Sequence, residues 1–300
     1  MTIIQLEYLL AVVNNGSFSL AAEKCFVTQP SLSMQIKNLE EELGITILDR
    51  SKKPVVPTQI GEIVVEKAKE ALYAYNNIKE SVSELKGSIA GKLRLGVIPT
   101  IAPYLLPRFI HEFSERYPKV ELEVKEIVTP EIIKAFDKDE LDAAIVAGGT
   151  CPERISEDEL FSDKFFVYLS QHNPLYERTN IRIEDINSKQ LILLSEGHCL
   201  RNQILELCGS IRNTAISYYF ESGSLETLMR IVNNTELMTI IPEMSIDYIP
   251  QEYRNNVKPL AKGATSRMIA LAMRRTYAKE RVIKALKEVI LEVASVQKHN

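Results

Sequence analysis

Val64, Ala68, Ala71, Tyr75, Ile78, Val82, Leu85 and Ile89 follow one another at intervals of 4, 3, 4, 3, 4, 3 and 4 residues. This is a heptad seam running for more than three heptads, and an apolar seam of that length calls for a partner helix. Lys67, Lys69, Glu70, Lys79, Glu80 and Glu84 stay outside it, and Gly87 and Gly91 end it. A helix packed on its own domain is the other reading. Pairing is favoured once the preceding residues are read as a helix-turn-helix, a module that works on two half-sites. A helix over 59–90 also divides the chain into a short block of 1–58 and a long remainder of 91–300.

The short block reads as all-α with a wing. Leu6, Leu9, Leu10 and Val13 form one helical stripe, stopped by Gly16. Phe18 to Phe26 is a second helix with Leu20, Ala21, Ala22 and Cys25 inward. After the break at Val27–Ser31, Thr28 reads as an N-cap and Pro30 as a first-turn proline. The third helix turns Leu32, Ile36, Leu39 and Leu43 inward and stops at Gly44. Three helices with a short break before the last make a helix-turn-helix over about 18–37. Its outward residues Gln29, Ser31, Ser33, Gln35 and Lys37 suit base-edge hydrogen bonding, although a solvated face looks similar. Ile45–Pro57 alternates and reads as a two-stranded wing, after which Thr58 caps the long helix.

Charge does not decide the partner by itself. The chain has a net charge of −4, and 1–61 holds five Lys/Arg against six Asp/Glu. Distribution is more telling: Glu40–Glu42 lie far from the turn, while Arg50, Lys52 and Lys53 cluster in the wing, where they suit phosphate. No apolar run approaches a membrane span and no secretory leader is visible, so a cytoplasmic location is expected. Four cysteines are too few for a disulfide scaffold, and in a reducing compartment a pair would be transient and sensory.

From Gly91 the pattern alternates strands and helices: strands at Leu93–Ile98, Val120–Val128 and Ala143–Val146, helices at Pro103–Tyr117 and Pro130–Phe136. This predicts an α/β domain with a largely parallel sheet and a ligand crevice beyond the strand ends. Thr100 and Thr129 follow the first two strands, so their hydroxyls would face that crevice. Each, taken alone, is a common turn or capping residue. Phe165–Ser170 reads as a crossing into a second lobe with strands at Leu191–Leu194, Ser217–Phe220 and Met238–Ile241 and a helix at Ser224–Asn233. Met268–Met273 returns to the first lobe, and Ala278–Val296 closes it. The expected architecture is two-lobed, as in periplasmic solute-binding proteins. Lobe I would span 91–163 and 267–300, and lobe II 164–266.

Ser195–Gly209 is the chemically suggestive stretch. Gly197 permits a turn, and Cys199 then starts a helix whose apolar face is Leu200, Ile204 and Leu207. Unpaired N–H groups and the helix dipole favour a thiolate there, and His198 and Arg201 are expected to add positive charge. Cys208 lies nine residues on. Nine helical residues separate Cα atoms by roughly 13–14 Å, while a disulfide needs about 7 Å or less. The two cysteines therefore never pair, as small buried fillers, or pair only after the helix unwinds. No metal or cofactor is expected and a hydrolase triad is not supported; a thiol peroxidase or other redox enzyme, a further reading of the cysteines, would have no use for a heptad linker and a DNA reader.

Phe18-Ser-Leu-Ala-Ala-Glu-Lys-Cys-Phe-Val-Thr-Gln-Pro-Ser-Leu-Ser, Ile36-Lys-Asn-Leu-Glu-Glu-Glu-Leu-Gly44, Asp49-Arg50 and Thr58-Gln-Ile-Gly61 resemble the LysR-type transcriptional regulators over the whole chain. Gly96-Val-Ile-Pro-Thr100, Pro103-Tyr-Leu-Leu-Pro107 and Gly197-His-Cys-Leu-Arg201 with Cys208 are similar to the peroxide-sensing members of that family. The resemblance implies a redox-sensing transcription factor. Peroxide would oxidise Cys199, with Thr100, Thr129, His198 and Arg201 around it, and Cys208 would resolve the product as a disulfide. Thr28, Gln29, Pro30, Ser31, Ser33, Gln35, Lys37, Arg50 and Lys52 would contact promoter DNA. The implied partners are a second and then a fourth copy of the chain, RNA polymerase, and thiol reductants that reset the switch. Antioxidant genes would be activated. The alternative is a regulator of the same family gated by a small organic effector in the cleft, with inert cysteines. Cys25 reads as core and Cys151 as a loop bystander open to non-specific oxidation.

Overall fold

A computed structural model of the chain describes residues 1–85, 89–207, 222–261, 266–274 and 279–295, without the side chains at 73, 76, 77 and 79–85. The chain divides into two compact units, Met1–Ser88 with Thr276–Lys279, and Ile89–Arg275 with Glu280–Asn300.

The first unit opens with α1 (Ile3–Asn15), whose start is closed by a reciprocal box between Thr2 and Gln5. Gly16 ends it in the left-handed conformation at φ +61°. α2 (Phe18–Lys24) and α3 (Gln29–Leu43) are capped by Ser17 and Thr28, whose hydroxyls accept from Leu20 N–H and Ser31 N–H. The wing is minimal. β1 (Leu48–Asp49) pairs antiparallel with β2 (Val56–Pro57). Leu6, Leu9, Val12, Ala21, Ala22, Leu32, Ile36, Leu39, Ile47 and Leu48 form the core.

Two residues expected inside are outside: Leu20 is 51% exposed and Leu43 39% exposed. A seven-residue helix has room to bury little more than its Ala21–Ala22 side, and Leu43 lies in the last turn of α3. Cys25 is half-buried and packs against that core.

The long helix α4 (Gln59–Leu85) begins at Thr58, which accepts from Gly61 N–H at 3.0 Å and donates to the Thr46 carbonyl at 2.8 Å. Its inner stripe is Val65, Ala68 and Leu72, packed on the core of its own unit. Ala68 thus leaves the predicted seam. Of the other seam residues on view, Val64 is half-buried against the same core and Ile89 is half-buried, while Ala71, Tyr75 and Ile78 are exposed, Ile78 to 63%. Val82 and Leu85 lie outside the described side chains.

The second unit is built on β3 (Gly91–Val97), α5 (Ala102–Arg116), β4 (Val120–Glu126), α6 (Thr129–Asp137) and β5 (Ala143–Ala147). The long β6 (Ile155–Leu169) then leaves this lobe for the next. The second lobe holds α7 (Cys199–Leu207), α8 (Leu225–Val232), β7 (Met238–Pro242) and β8 (Val257–Pro259). β9 (Ser266–Arg274) and α9 (Glu280–Ser295) return to the first.

The strand order is β4-β3-β5-β9-β6-β7, with β8 also on β6. Among the described residues, only the β3–β4 and β3–β5 strand pairs of this sheet are parallel; the pairs made by β9 and β6 are antiparallel. The sheet is therefore mixed, because the two strands that run between lobes oppose their neighbours. Leu191–Leu194 is no full strand: Leu191 makes one isolated bridge to Met238. The segment is held instead by Ile192 N–H donating to the Met238 carbonyl and Thr239 Oγ1 donating to the Ile192 carbonyl. The expected strand Ser217–Phe220 lies outside the described residues.

The lobes are tied across their cleft. Tyr104 Oη donates to Glu226 Oε1 at 2.7 Å, Tyr248 Oη donates to the Tyr104 carbonyl at 3.0 Å, and Arg108 pairs with Asp247 at 3.0 Å. Burial and the Glu226 carboxylate push the Tyr104 hydroxyl far above its ordinary range, so it remains a donor.

Candidate functional site

Parallel pairing of β3 with both β4 and β5 brings the loops after all three strands to one edge. Thr100 lies in the first loop, Thr129 opens α6 after the second, and Cys151 lies in the third. The turn before α7 meets this edge, since a Cβ at Gly197 would lie 3.6 Å from the Val128 side chain. Gly197 itself has φ +93°, where glycine is favoured. Cys199 follows as the first residue of α7, a buried free cysteine.

Thr100 is held by a residue that local sequence pattern did not reveal. Arg267 Nη1 donates to Thr100 Oγ1 at 2.9 Å and Arg267 Nη2 donates to the Thr100 carbonyl at 3.1 Å. The same guanidinium donates to Asp163 Oδ2 at 3.1 and 3.0 Å, and both side chains are fully buried. Asp163 Oδ1 in turn accepts Met244 N–H. Because Thr100 Oγ1 accepts from a cation, its own O–H is free to donate into the crevice. Thr129 Oγ1 is buried and has no hydrogen-bond partner among the described residues. A buried hydroxyl without a partner costs about 1–3 kcal/mol, which a small polar ligand would recover.

His198 is buried, and burial lowers its pKa below the usual 6.5. It is therefore neutral at pH 7, which corrects the expectation of a second positive charge. A neutral imidazole offers one donor and one acceptor instead. The sign of the linked stability follows from that shift. Between the folded and unfolded pKa values the unfolded chain binds more protons, so stability rises with pH in that window. The contribution is complete above about 6.5 and is lost as pH falls through the folded value. Thermal melting of the second unit should thus weaken from pH 7.5 to 5.5, and His198→Gln should flatten that dependence. An equal slope in the variant would place the proton uptake on another group.

Arg201 turns away from this cluster, its Nη1 donating to the Leu194 carbonyl at 3.0 Å, so it braces the turn before α7. Cys208 lies outside the described residues. Cys151 is half-buried rather than open. Burial first, then the Glu157 carboxylate, and least the nearby Cys199, push its thiol up to about 12. A pKa raised in this way disfavours the thiolate, the form that oxidises, against the expectation of non-specific oxidation.

In the first unit, Thr28, Gln29, Pro30, Ser31 and Lys37 are exposed, whereas Ser33 and Gln35 are half-buried. Gln29 accepts from Ser19 Oγ at 2.7 Å and Gln35 accepts from Gln5 Nε2 at 3.3 Å. Lys37 pairs with Glu41 at 3.4 Å, and Lys52 lies 3.9 Å from Asp49. Arg50 donates to Glu40 Oε2 at 2.8 Å and lies over the Phe18 ring, which positions it while leaving it 42% exposed. Glu40 also accepts from Ile47 N–H and Leu48 N–H. Read from the sequence as a remote acid, it is the brace that ties α3 to the wing. Among the described residues, no helix is long and apolar enough to cross a membrane.

Comparison with known proteins agrees with this organisation. Residues 3–62 match the bacterial regulatory helix-turn-helix protein model of the lysR family, and residues 86–295 match the LysR substrate binding domain. The hydrogen peroxide-inducible genes activator of Haemophilus influenzae is 35% identical over 279 residues, covering 91% of each chain. The DNA-binding transcriptional dual regulator OxyR of Escherichia coli is 33% identical, covering 91% of this chain and 90% of its own. Full-length OxyR from Pseudomonas aeruginosa, solved as a mutant, superposes with a TM-score of 0.79 at 33% identity, covering 97% of this chain and 94% of that one. With both domain models matched and relatives of this identity aligned over nine tenths of its length, the chain belongs to the LysR family of DNA-binding transcriptional regulators, on the OxyR-like side of that family.

Proposed function

We propose that this regulator senses hydrogen peroxide through Cys199 and passes the signal to promoter DNA by refolding around α7. The reading is supported by a buried cysteine at a helix start, reached by the turn at Gly197 that approaches Val128, and by the adjacent Thr129, whose buried hydroxyl has no hydrogen-bond partner among the described residues. The Cys199 thiolate attacks one peroxide oxygen. The S–O bond forms as the O–O bond breaks, giving a sulfenic acid and hydroxide, which takes a proton to become water. Thr100 and Thr129 donate to the peroxide oxygens, and neutral His198 offers a further polar contact. Arg201 acts on the local charge only from behind the turn. The Cys208 thiol then attacks the sulfenic sulfur, forming the disulfide and releasing a second water.

The helix has to yield for that second step. α7 is nine residues long with Cys199 at its start, so its far end lies about 12 Å away, beyond the reach of a disulfide. Gln203 Oε1 is buried in this helix with no hydrogen-bond partner among the described residues, which lowers the cost of leaving it. The disulfide form changes how effector domains of a homotetramer pair. The winged domains, 1–58, and linker, 59–90, are thereby repositioned on DNA, RNA polymerase is recruited, and antioxidant genes are activated. Cellular thiol reductants return the chain to its starting state. In support, the relatives from Haemophilus influenzae and Escherichia coli carry peroxide-induction and OxyR names, and OxyR from Corynebacterium glutamicum has been solved with H2O2 bound.

Footprints on a promoter fragment, with and without one equivalent of peroxide, test this. The wild type should shift, Cys199→Ser should not, and Cys208→Ser should stop at a sulfenic acid that dimedone labels. An unchanged wild-type footprint would sink the reading. A shift that persists in Cys199→Ser would place the sensor elsewhere, and a shift produced by an organic metabolite alone would favour the effector-gated alternative.

A further inference from the structure

Phe26 is out of place for an aromatic residue. It is 95% exposed, and its backbone lies at φ +56°, in the left-handed region that favours glycine. The local bonding explains the conformation. Val27 N–H donates to the Ala22 carbonyl at 3.0 Å and Phe26 N–H to the Glu23 carbonyl at 3.1 Å, closing α2 in a Schellman turn. The residue at that left-handed position is usually glycine. Phenylalanine there strains the backbone and leaves a ring in water, so folding alone gives no reason for it.

Its position in the fold suggests one. Thr28, two residues on, caps α3, and the exposed Gln29, Pro30 and Ser31 follow. Met34, one turn beyond Pro30, is a second exposed apolar side chain at 58%. We infer that the Phe26 ring is a DNA contact, packing on apolar groups of the duplex beside the start of α3, either deoxyribose carbons or the 5-methyl group of thymine. This rests on the reading of α3 as the helix that enters the groove, and it adds an apolar contact to a surface otherwise described by hydrogen bonds and charge.

The test uses the full-length chain and two duplexes, one that it recovers from a random-sequence library and one unrelated duplex of equal length. Phe26→Gly relieves the backbone and removes the ring, while Phe26→Ala removes the ring alone. Both should bind the recovered duplex about tenfold more weakly, with an unchanged slope of affinity against salt, because no phosphate charge contact is lost. Phe26→Gly should melt at or above the wild-type temperature. If uracil in place of thymine weakens the wild type and leaves Phe26→Ala unaffected, the ring sits on thymine methyls. If uracil changes neither, it sits on the sugars. Affinities within twofold of wild type for both variants would overturn the inference. So would a loss confined to the glycine variant, which would assign the effect to chain freedom, or a changed oligomeric state, which would assign the ring to a protein contact. Ser33→Ala and Gln35→Ala keep the two ideas apart. If they lose affinity while the Phe26 variants do not, only this inference fails. If none of the four loses affinity, the reading of α3 fails with it.

Discussion

Arg267→Met should destabilise the second unit by about 3–5 kcal/mol, the usual cost of leaving one partner of a buried ion pair alone. For a unit of this size that corresponds to a fall in melting temperature of roughly 6–20 °C. The origin is the single guanidinium that bonds both Asp163 and Thr100 with no solvent access. In the variant the Asp163 carboxylate is buried without its cation, while Oδ1 still accepts from Met244 N–H. Arg267→Met combined with Asp163→Asn should regain much of the stability, because the stranded charge is gone and the Met244 bond is kept. It should not regain the peroxide response under the proposed function, since Thr100 loses the donor that aims its hydroxyl. Melting curves and peroxide footprints on the single and double variants separate the two effects. A single variant that melts within 1 °C of wild type would show that the pair contributes nothing. A double variant with full peroxide response would remove Arg267 from the positioning of Thr100.

That triad also marks where the sequence stopped being legible. Asp163 lies 104 residues from Arg267 and Thr100 lies 167 residues from it, and no local pattern joins them. Helices such as α5, α6 and α8 were readable to within a few residues, because capping and apolar periodicity act over one or two turns. The direction of β9 against β5 was not, since it is set by where the chain returns after the second lobe. Ala68 fitted a heptad and an inward stripe equally well, and the choice lay with the packing of α4 on its own unit. Glu40 shows the same limit at close range: three successive acids look alike in sequence, yet only the first is turned toward Ile47, Leu48 and Arg50. At the candidate site, Cys199 and the turn at Gly197 were visible as chemistry at a helix start. The lowered pKa of His198, and the lack of a partner for the Thr129 hydroxyl among the described residues, depend on burial by distant segments.

Gly61→Ala should uncouple the wing from α4, although alanine is ordinarily the better helix former. In an open helix interior the exchange would stabilise by up to about 1 kcal/mol. Here the added Cβ would press on the Ile47 carbonyl oxygen and lie 2.9 Å from the carbonyl carbon and 3.0 Å from Thr58 Oγ1. Both neighbours are committed. The Ile47 carbonyl accepts Thr58 N–H at 2.9 Å, and Thr58 Oγ1 caps the helix while donating to the Thr46 carbonyl. Relief by moving Ile47 also strains the adjoining Leu48–Pro57 pairing and the Glu40 contacts to Ile47 and Leu48. Overpacking costs about 1–3 kcal/mol and a lost cap about 0.5–2 kcal/mol, so the clash outweighs the gain in propensity. Hydrogen exchange should accelerate at amides 47–61 and DNA affinity should fall, while under the proposed function Cys199 should react with peroxide at the wild-type rate. If exchange at those amides and DNA affinity both remain within twofold of wild type, the close approach is not what holds the wing to the helix. If Cys199 slows as well, the substitution has damaged the fold beyond the first unit.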